Sequence, residues 1–197
     1  MIIRDIIKNN NLEEVFSNVK IGLEKEGQRI LEDGTISKSN HPKVFGIRHE
    51  HPYIQTDFAE SQVELITTPE NSERDVLRIL NAVHEVTLKH MPNDEYIWPL
   101  SIPAILPDES EIRVAQFEKK SDVEYREYLV EKYGKYKQMV SCIHYNFQLD
   151  DKFMEKVAEI TKKDLVDVKN EIYLKLARQF IRYQWILIYL YGASPLA

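Results

Sequence analysis

Acidic side chains fall in this chain at spacings that would let them share a ligand. Glu24 and Glu26 stand two apart in Gly22-Leu23-Glu24-Lys25-Glu26-Gly27, and residues i and i+2 of an extended strand point to one face. Three more acids, Asp57, Glu60 and Glu64, lie in Thr56-Asp57-Phe58-Ala59-Glu60-Ser61-Gln62-Val63-Glu64-Leu65-Ile66-Thr67, and His144 and Asn146 are two apart in His144-Tyr145-Asn146-Phe147. Carboxylates and carbonyl oxygens with one imidazole make a donor set for a hard divalent cation. Two carboxylates about 4 Å apart repel by about 4 kcal/mol at an effective dielectric of about 20. Convergence of the three segments would therefore point to bound metal. Each segment also has a plainer reading. Glu24 and Glu26 suit a solvent-facing strand edge, Glu60 and Glu64 suit the solvated face of a helix, and His144 suits a core histidine among apolar neighbours.

The elements that would position these groups can be read from periodicity and turn chemistry. Residues 1–18 suit one or two short helices separated by Asn9-Asn10-Asn11. A strand is expected over Lys20–Ile30, with a hairpin turn at Asp33-Gly34 and a return strand over Thr35–Lys38. Pro42 and Pro52 make His41–Tyr53 irregular, and the β-branched run at Glu64–Thr67 reads as a strand. Ser72-Glu73-Arg74-Asp75 resembles a capping box and opens a helix over 73–90, with Val76, Leu77, Leu80, Val83 and Leu88 near helical spacing. Pro99, Pro103 and Pro107 leave Trp98–Pro107 as loop or edge strand. A helix over 122–133 carries Tyr125 and Leu129 on one face. A strand over Gln138–Gln148 puts Gln138, Val140, Cys142, His144 and Asn146 on one face. Its other face, Met139, Ser141, Ile143, Tyr145 and Phe147, is more apolar and is expected to be the core side. Helices over 151–160 and 164–190 follow, the last ending at Gly192. Strands joined by short turns and followed by helices define an α+β class.

Composition narrows the function classes. The 197 residues suit one domain, or one and part of a second, and 43% hydrophobic with 29% charged residues is ordinary for a globular chain. A net charge of -6 argues against a nucleic-acid binder, which needs a basic face. The single cysteine, Cys142, excludes an internal disulfide, fits a reducing compartment, and reads as a small buried residue. The N-terminus has no signal-peptide pattern. The most apolar stretch, Trp185 to Tyr191, is far shorter than the roughly 20 residues a membrane span needs. A cytoplasmic protein without membrane contact is expected. No Gly-rich phosphate loop is present, so any ATP would be held through metal and charged side chains. His49-Glu50-His51 looks like a metal pair but lies between prolines, and His41, His84 and His90 follow no partner pattern.

Six segments, in order and at nearly fixed spacing, resemble the bacterial type of the glutamate–cysteine ligase family. They are Gly22-Leu23-Glu24-x-Glu26; Thr56-Asp57-Phe58-Ala59-Glu60 through Glu64-x-Ile66-Thr67; Trp98-Pro99-Leu100-Ser101-x-Pro103; Tyr125-Arg126 before Tyr133-Gly134; His144-Tyr145-Asn146-Phe147; and Tyr189-Leu190-Tyr191-Gly192-Ala193-Ser194-Pro195. The resemblance runs from about Gly22 to the last residue. It implies that residues 1–197 are the N-terminal portion of a catalytic domain that continues past Ala197, in some bacteria fused to an ATP-grasp glutathione synthetase. The implied fold is glutamine-synthetase-like, an antiparallel cupped sheet with helices behind it. By resemblance, Glu24, Glu26, Glu64 and His144 hold magnesium or manganese, and Asp57 and Arg126 act on substrate. Phe58, Tyr125, Leu129, Gln138, Val140 and Asn146 line the substrate or nucleotide pocket, while Glu60 is open between site and structural roles. The implied reaction is ATP-dependent joining of L-glutamate to L-cysteine through γ-glutamyl phosphate, with this chain alone inactive. A carboxylate–amine ligase using another amine, and a noncatalytic metal-binding or partner-binding fragment, remain as alternatives.

Overall fold

A computed structural model describes residues 3–192. The elements are α1 (Ile3–Asn9), α2 (Glu13–Ser17), β1 (Val19–Ile30), β2 (Ile54–Thr56), β3 (Gln62–Ile66), α3 (Glu73–His90), β4 (Tyr96–Ile97), α4 (Lys120–Tyr133), β5 (Ile143–Leu149), α5 (Asp151–Thr161) and α6 (Leu165–Tyr191). They form two compact units, one of residues 20–148 and one made, among the described residues, of 3–19 with 149–192. The class is α+β with an antiparallel sheet, as expected.

The larger unit holds the sheet. Its strand order is β2-β3-β1-β4, with β5 also pairing β1. Along β1 the alternation of side chains separates two faces. Leu23 packs with Ile54, Val63, Leu65, Leu80, Val83 and Ile97 into a core that includes α3. The register against β3 sets Glu26 opposite Glu64 and Gln28 opposite Gln62. Helix α3 starts where the sequence signals it: Ser72 is extended (φ -140°, ψ 146°) and its Oγ accepts the Asp75 N–H at 3.2 Å, satisfying one of the free donors of the first turn. A further apolar cluster joins Phe58, Ala59, Ile112 and Met139, with Leu129 of α4 against it.

Three expectations fail here, the last in part. The hairpin after β1 closes, with Leu31 N–H donating to the Thr35 carbonyl at 2.9 Å, but the return segment pairs only at an Ile30–Ile36 bridge. The Ser37 N–H still donates to the Arg29 carbonyl at 2.9 Å, and the hydroxyls of Ser37 and Ser39 bond the Glu95 carboxylate. The strand expected over Gln138–Gln148 starts only at Ile143, because Tyr136–Met139 forms a 3₁₀ turn. Alternation therefore cannot carry Gln138 and Val140 onto the His144 face. Of the face expected to be core, Met139 and Ser141 are buried, whereas Ile143, Tyr145 and Phe147 are exposed at 64%, 60% and 44%.

The smaller unit is helical. Leu12, Leu149, Phe153, Met154, Val157, Val168 and Ile172 form its core, and the Phe16 and Phe153 rings meet edge-on at 5.2 Å. Asp150 and Asp164 cap α5 and α6, accepting from Lys152 N–H and Val166 N–H at 2.8 Å each. The later turns of α6 expose Phe180, Ile181, Trp185, Ile188 and Leu190. Ala193-Ser194-Pro195, the end of the last quoted motif, lies outside the described residues.

Candidate metal centre

Strands β1, β3 and β5 bring the sequence-marked groups together. One donor atom each from Glu24, Glu64 and His144 lies within 4.8 Å of the others. His144 spans two acids, its Nδ1 3.0 Å from Glu24 Oε2 and its Nε2 3.6 Å from Glu26 Oε1. Asn146 Nδ2 donates to Glu24 Oε1 at 2.7 Å. The cause is local: two residues of β5 at period 2 face two residues of β1 at period 2, and Glu64 stands opposite Glu26.

The electrostatics are those of unneutralised acids. Burial pushes the Glu64 carboxyl up to about 7, and the neighbouring charges of Asp57, Glu24 and Glu26 push the same way. Glu26 is also raised by burial, although the Cys142 N–H bond opposes it, and Asp57 is raised by burial against the pull of Arg126. His144 is raised, first by its bond to Glu24. The donor set suits a divalent cation of the magnesium or manganese kind: carboxylate oxygens, one imidazole, and partial exposure that leaves room for water.

Other marked residues have different surroundings. Asp57 sits in the β2–β3 turn, and its carbonyl accepts from Arg126 Nε at 2.9 Å and Nη2 at 2.8 Å. Arg126 Nη1 donates to the Asp122 carbonyl at 3.1 Å, and the guanidinium stacks 3.6 Å from the Phe117 ring centroid. Phe58 is 2% exposed and lies in the core with Leu129 packed against its cluster, whereas Tyr125 is 58% exposed. Gln138 is half-buried in the 3₁₀ turn and Val140 is exposed just after it. Cys142 is exposed, not buried as expected, with its thiol pushed up by burial of part of the side chain and by the charges of Glu26 and Asp57. His51 Nδ1 accepts the Tyr53 and Ile54 N–H groups, so the His49-Glu50-His51 run serves a turn.

Some important pairings had no sequence signal, even where one member, Glu60, was marked. Glu60 is structural: its carboxylate takes both Arg48 Nη atoms (2.7 and 3.1 Å) and the N–H groups of His41 and Gln116. Arg29 pairs with Glu95 at 2.7 Å, both 2% exposed, and also donates to the Glu60 carbonyl. Gln62 and Gln28 are wholly buried beside the carboxylates. These pairings join positions far apart in the chain, and no local motif announces them.

Fold and site together define an antiparallel α+β domain presenting one carboxylate-rich face with an imidazole at its edge. The chain belongs to the glutamate–cysteine ligase family, whose profile, described as Glutamate-cysteine ligase, matches residues 4–197. It is 55% identical over 197 residues to the glutathione biosynthesis bifunctional protein GshAB of Mannheimia succiniciproducens, covering 99% of this chain and 26% of that protein. A solved bifunctional glutathione synthetase from Pasteurella multocida is similar at TM-score 0.88 and 51% identity, over 98% of this chain and 27% of that one. The glutamate–cysteine ligase of Francisella tularensis, solved in complex with AMP, is similar at TM-score 0.80 and 32% identity, over 90% of this chain and 36% of that one. The chain thus spans about a quarter of the length of the curated relatives it matches. Among the described residues no helix is long and apolar enough to cross a membrane.

Proposed function

We propose that the protein carrying this chain joins the γ-carboxylate of L-glutamate to the amine of L-cysteine at the expense of ATP, in the cytoplasm. What carries the reading is the convergence of Glu24, Glu64 and His144, with Glu26 beside them, on one face of a family member. A carboxylate is a poor acyl donor, so phosphorylation by ATP to γ-glutamyl phosphate precedes attack by the amine and loss of phosphate. Glu24, Glu26, Glu64 and His144 would hold magnesium or manganese, which when bound offsets charge on the transferring phosphoryl group. Asp57, with its carboxyl raised by burial, is suited to orient the incoming ammonium and take up a proton from it. Arg126, still cationic beside Asp57, is assigned to substrate charge. Asn146 is assigned to the nucleotide or substrate, and exposed Tyr125 to the wall of the amino-acid pocket, whereas Gln138 and Val140, out of phase with the His144 face, are given no role there. Phe58 and Leu129 back that wall from the core. The names of the relatives, bifunctional in glutathione biosynthesis, favour a downstream remainder of the ligase domain and a fused glutathione synthetase.

The test is ADP release by the protein expressed from its full natural reading frame. Turnover is expected only with glutamate, cysteine and a divalent cation together, and EDTA should abolish it. ADP release that ignores glutamate would end this reading. Equal turnover with an amine lacking the thiol would move it to a carboxylate–amine ligase of another specificity.

A further inference from the structure

We infer that Gln62 is a positioning residue for the candidate metal centre: its buried amide fixes one oxygen of Glu26 and thereby turns the other toward the cation. This rests on the proposed metal-binding role of Glu26. Gln62 is fully buried on β3, opposite Gln28 and one step diagonal to Glu26. Its Nε2 donates to Glu26 Oε2 at 3.2 Å, and the Cys142 N–H donates to the same oxygen at 2.8 Å. Two donors on Oε2 leave Oε1 as the oxygen that faces His144, 3.6 Å from Nε2. The Glu26 side chain is 5% exposed, so water has little access to replace a lost donor.

Residue type matters at this position. A carboxylate at 62 would set acceptor against acceptor, and an aliphatic side chain would leave Glu26 with the Cys142 N–H alone. The amide does both jobs required of it, because its Oε1 also accepts the Ala59 N–H at 3.4 Å while Nε2 serves Glu26. Outer partners of this kind orient metal ligands, and their loss costs about 10–100-fold in metal affinity.

The experiment is a Mn²⁺ titration followed by electron paramagnetic resonance, on the protein from its full natural reading frame. Wild type, Gln62→Met, Glu26→Gln and the double variant are compared, with unfolding midpoints in EDTA as the folding control. Gln62→Met should weaken Mn²⁺ binding about 10-fold in the wild-type background. In the Glu26→Gln background it should cost under about 2-fold, because its target is already gone. Equal losses in both backgrounds would assign Gln62 to general structure and overturn the inference. So would unchanged affinity in Gln62→Met, with the metal reading intact. If wild type binds no Mn²⁺, it is the metal reading that fails, and this inference with it. Should Gln62→Met not fold, Gln62→Asn keeps a buried amide one methylene short of Glu26 and is judged by the same outcomes.

Discussion

Two groups of acids, one buried and one half-buried, sit in the same sheet unit and are treated in opposite ways. Glu60 and Glu95 are neutralised from within: Arg48 forks onto Glu60, and Arg29 meets Glu95. Burial raises the Glu60 carboxyl, but the Arg48 guanidinium and two backbone N–H groups outweigh it and leave the group below its ordinary range. Glu24, Glu26 and Glu64 have amides and one imidazole around them, no guanidinium contacts them among the described residues, and Glu64 is pushed up to about 7. Similar side chains thus build either a lock or a receptor, and the difference is whether the counter-charge is covalently part of the chain.

The lock is where substitution should hurt most. Arg48→Ala strands the Glu60 carboxylate, whose side chain is 2% exposed, and the expected loss of stability is about 3–5 kcal/mol by urea unfolding. A loss below about 1 kcal/mol, the level of a surface pair, would erase the contrast.

The receptor should respond to pH in the opposite sense. In the metal-free protein Glu64 binds its proton more tightly folded than unfolded, since its folded value of about 7 lies above the ordinary 4.5. Its contribution is therefore full below about pH 4.5 and is lost as pH rises to about 7, amounting after solvent screening of a part-exposed group to about 1–2 kcal/mol. Urea unfolding in EDTA should show this fall in wild type and a flatter profile in Glu64→Gln. Saturating Mn²⁺ should remove it, since the cation favours the ionised form. An equal slope in both proteins would deny Glu64 its special state.

Arg126 joins the two regimes, because it fixes the Asp57 backbone and also lies near the Asp57 charge. Lys cannot supply two N–H bonds to one carbonyl in a planar fork or stack flat on Phe117. Arg126→Lys should destabilise by about 1–2 kcal/mol and lower kcat/KM for the ligation. Activity lost at unchanged stability would favour a purely substrate-facing role instead.

Strand alternation made the receptor legible in the sequence. Glu24 with Glu26, and His144 with Asn146, share faces because period 2 is a property of extended backbone. The helix over 73–90 was legible too, from its cap and spacing, and the one expected over 151–160 runs over Asp151–Thr161. The Ile143, Tyr145, Phe147 face was misread because alternation says which residues share a side, not which side is covered. Gln138 and Val140 fell out of phase at the 3₁₀ turn, where the Met139 carbonyl is held by buried Gln28 at 3.0 Å. The lock was invisible: Arg29 meets Glu95, and Arg48 meets Glu60, across separations that leave no local pattern.

Cys142 gives the experimenter a handle. It is the sole thiol in the chain, it is exposed, and its own N–H rests on Glu26. A nitroxide or fluorophore attached there would report on this face. Because partial burial, and after it the charges of Glu26 and Asp57, hold the thiol protonated above its usual range, coupling should go faster in alkaline buffer, and somewhat faster again once a cation has damped those charges.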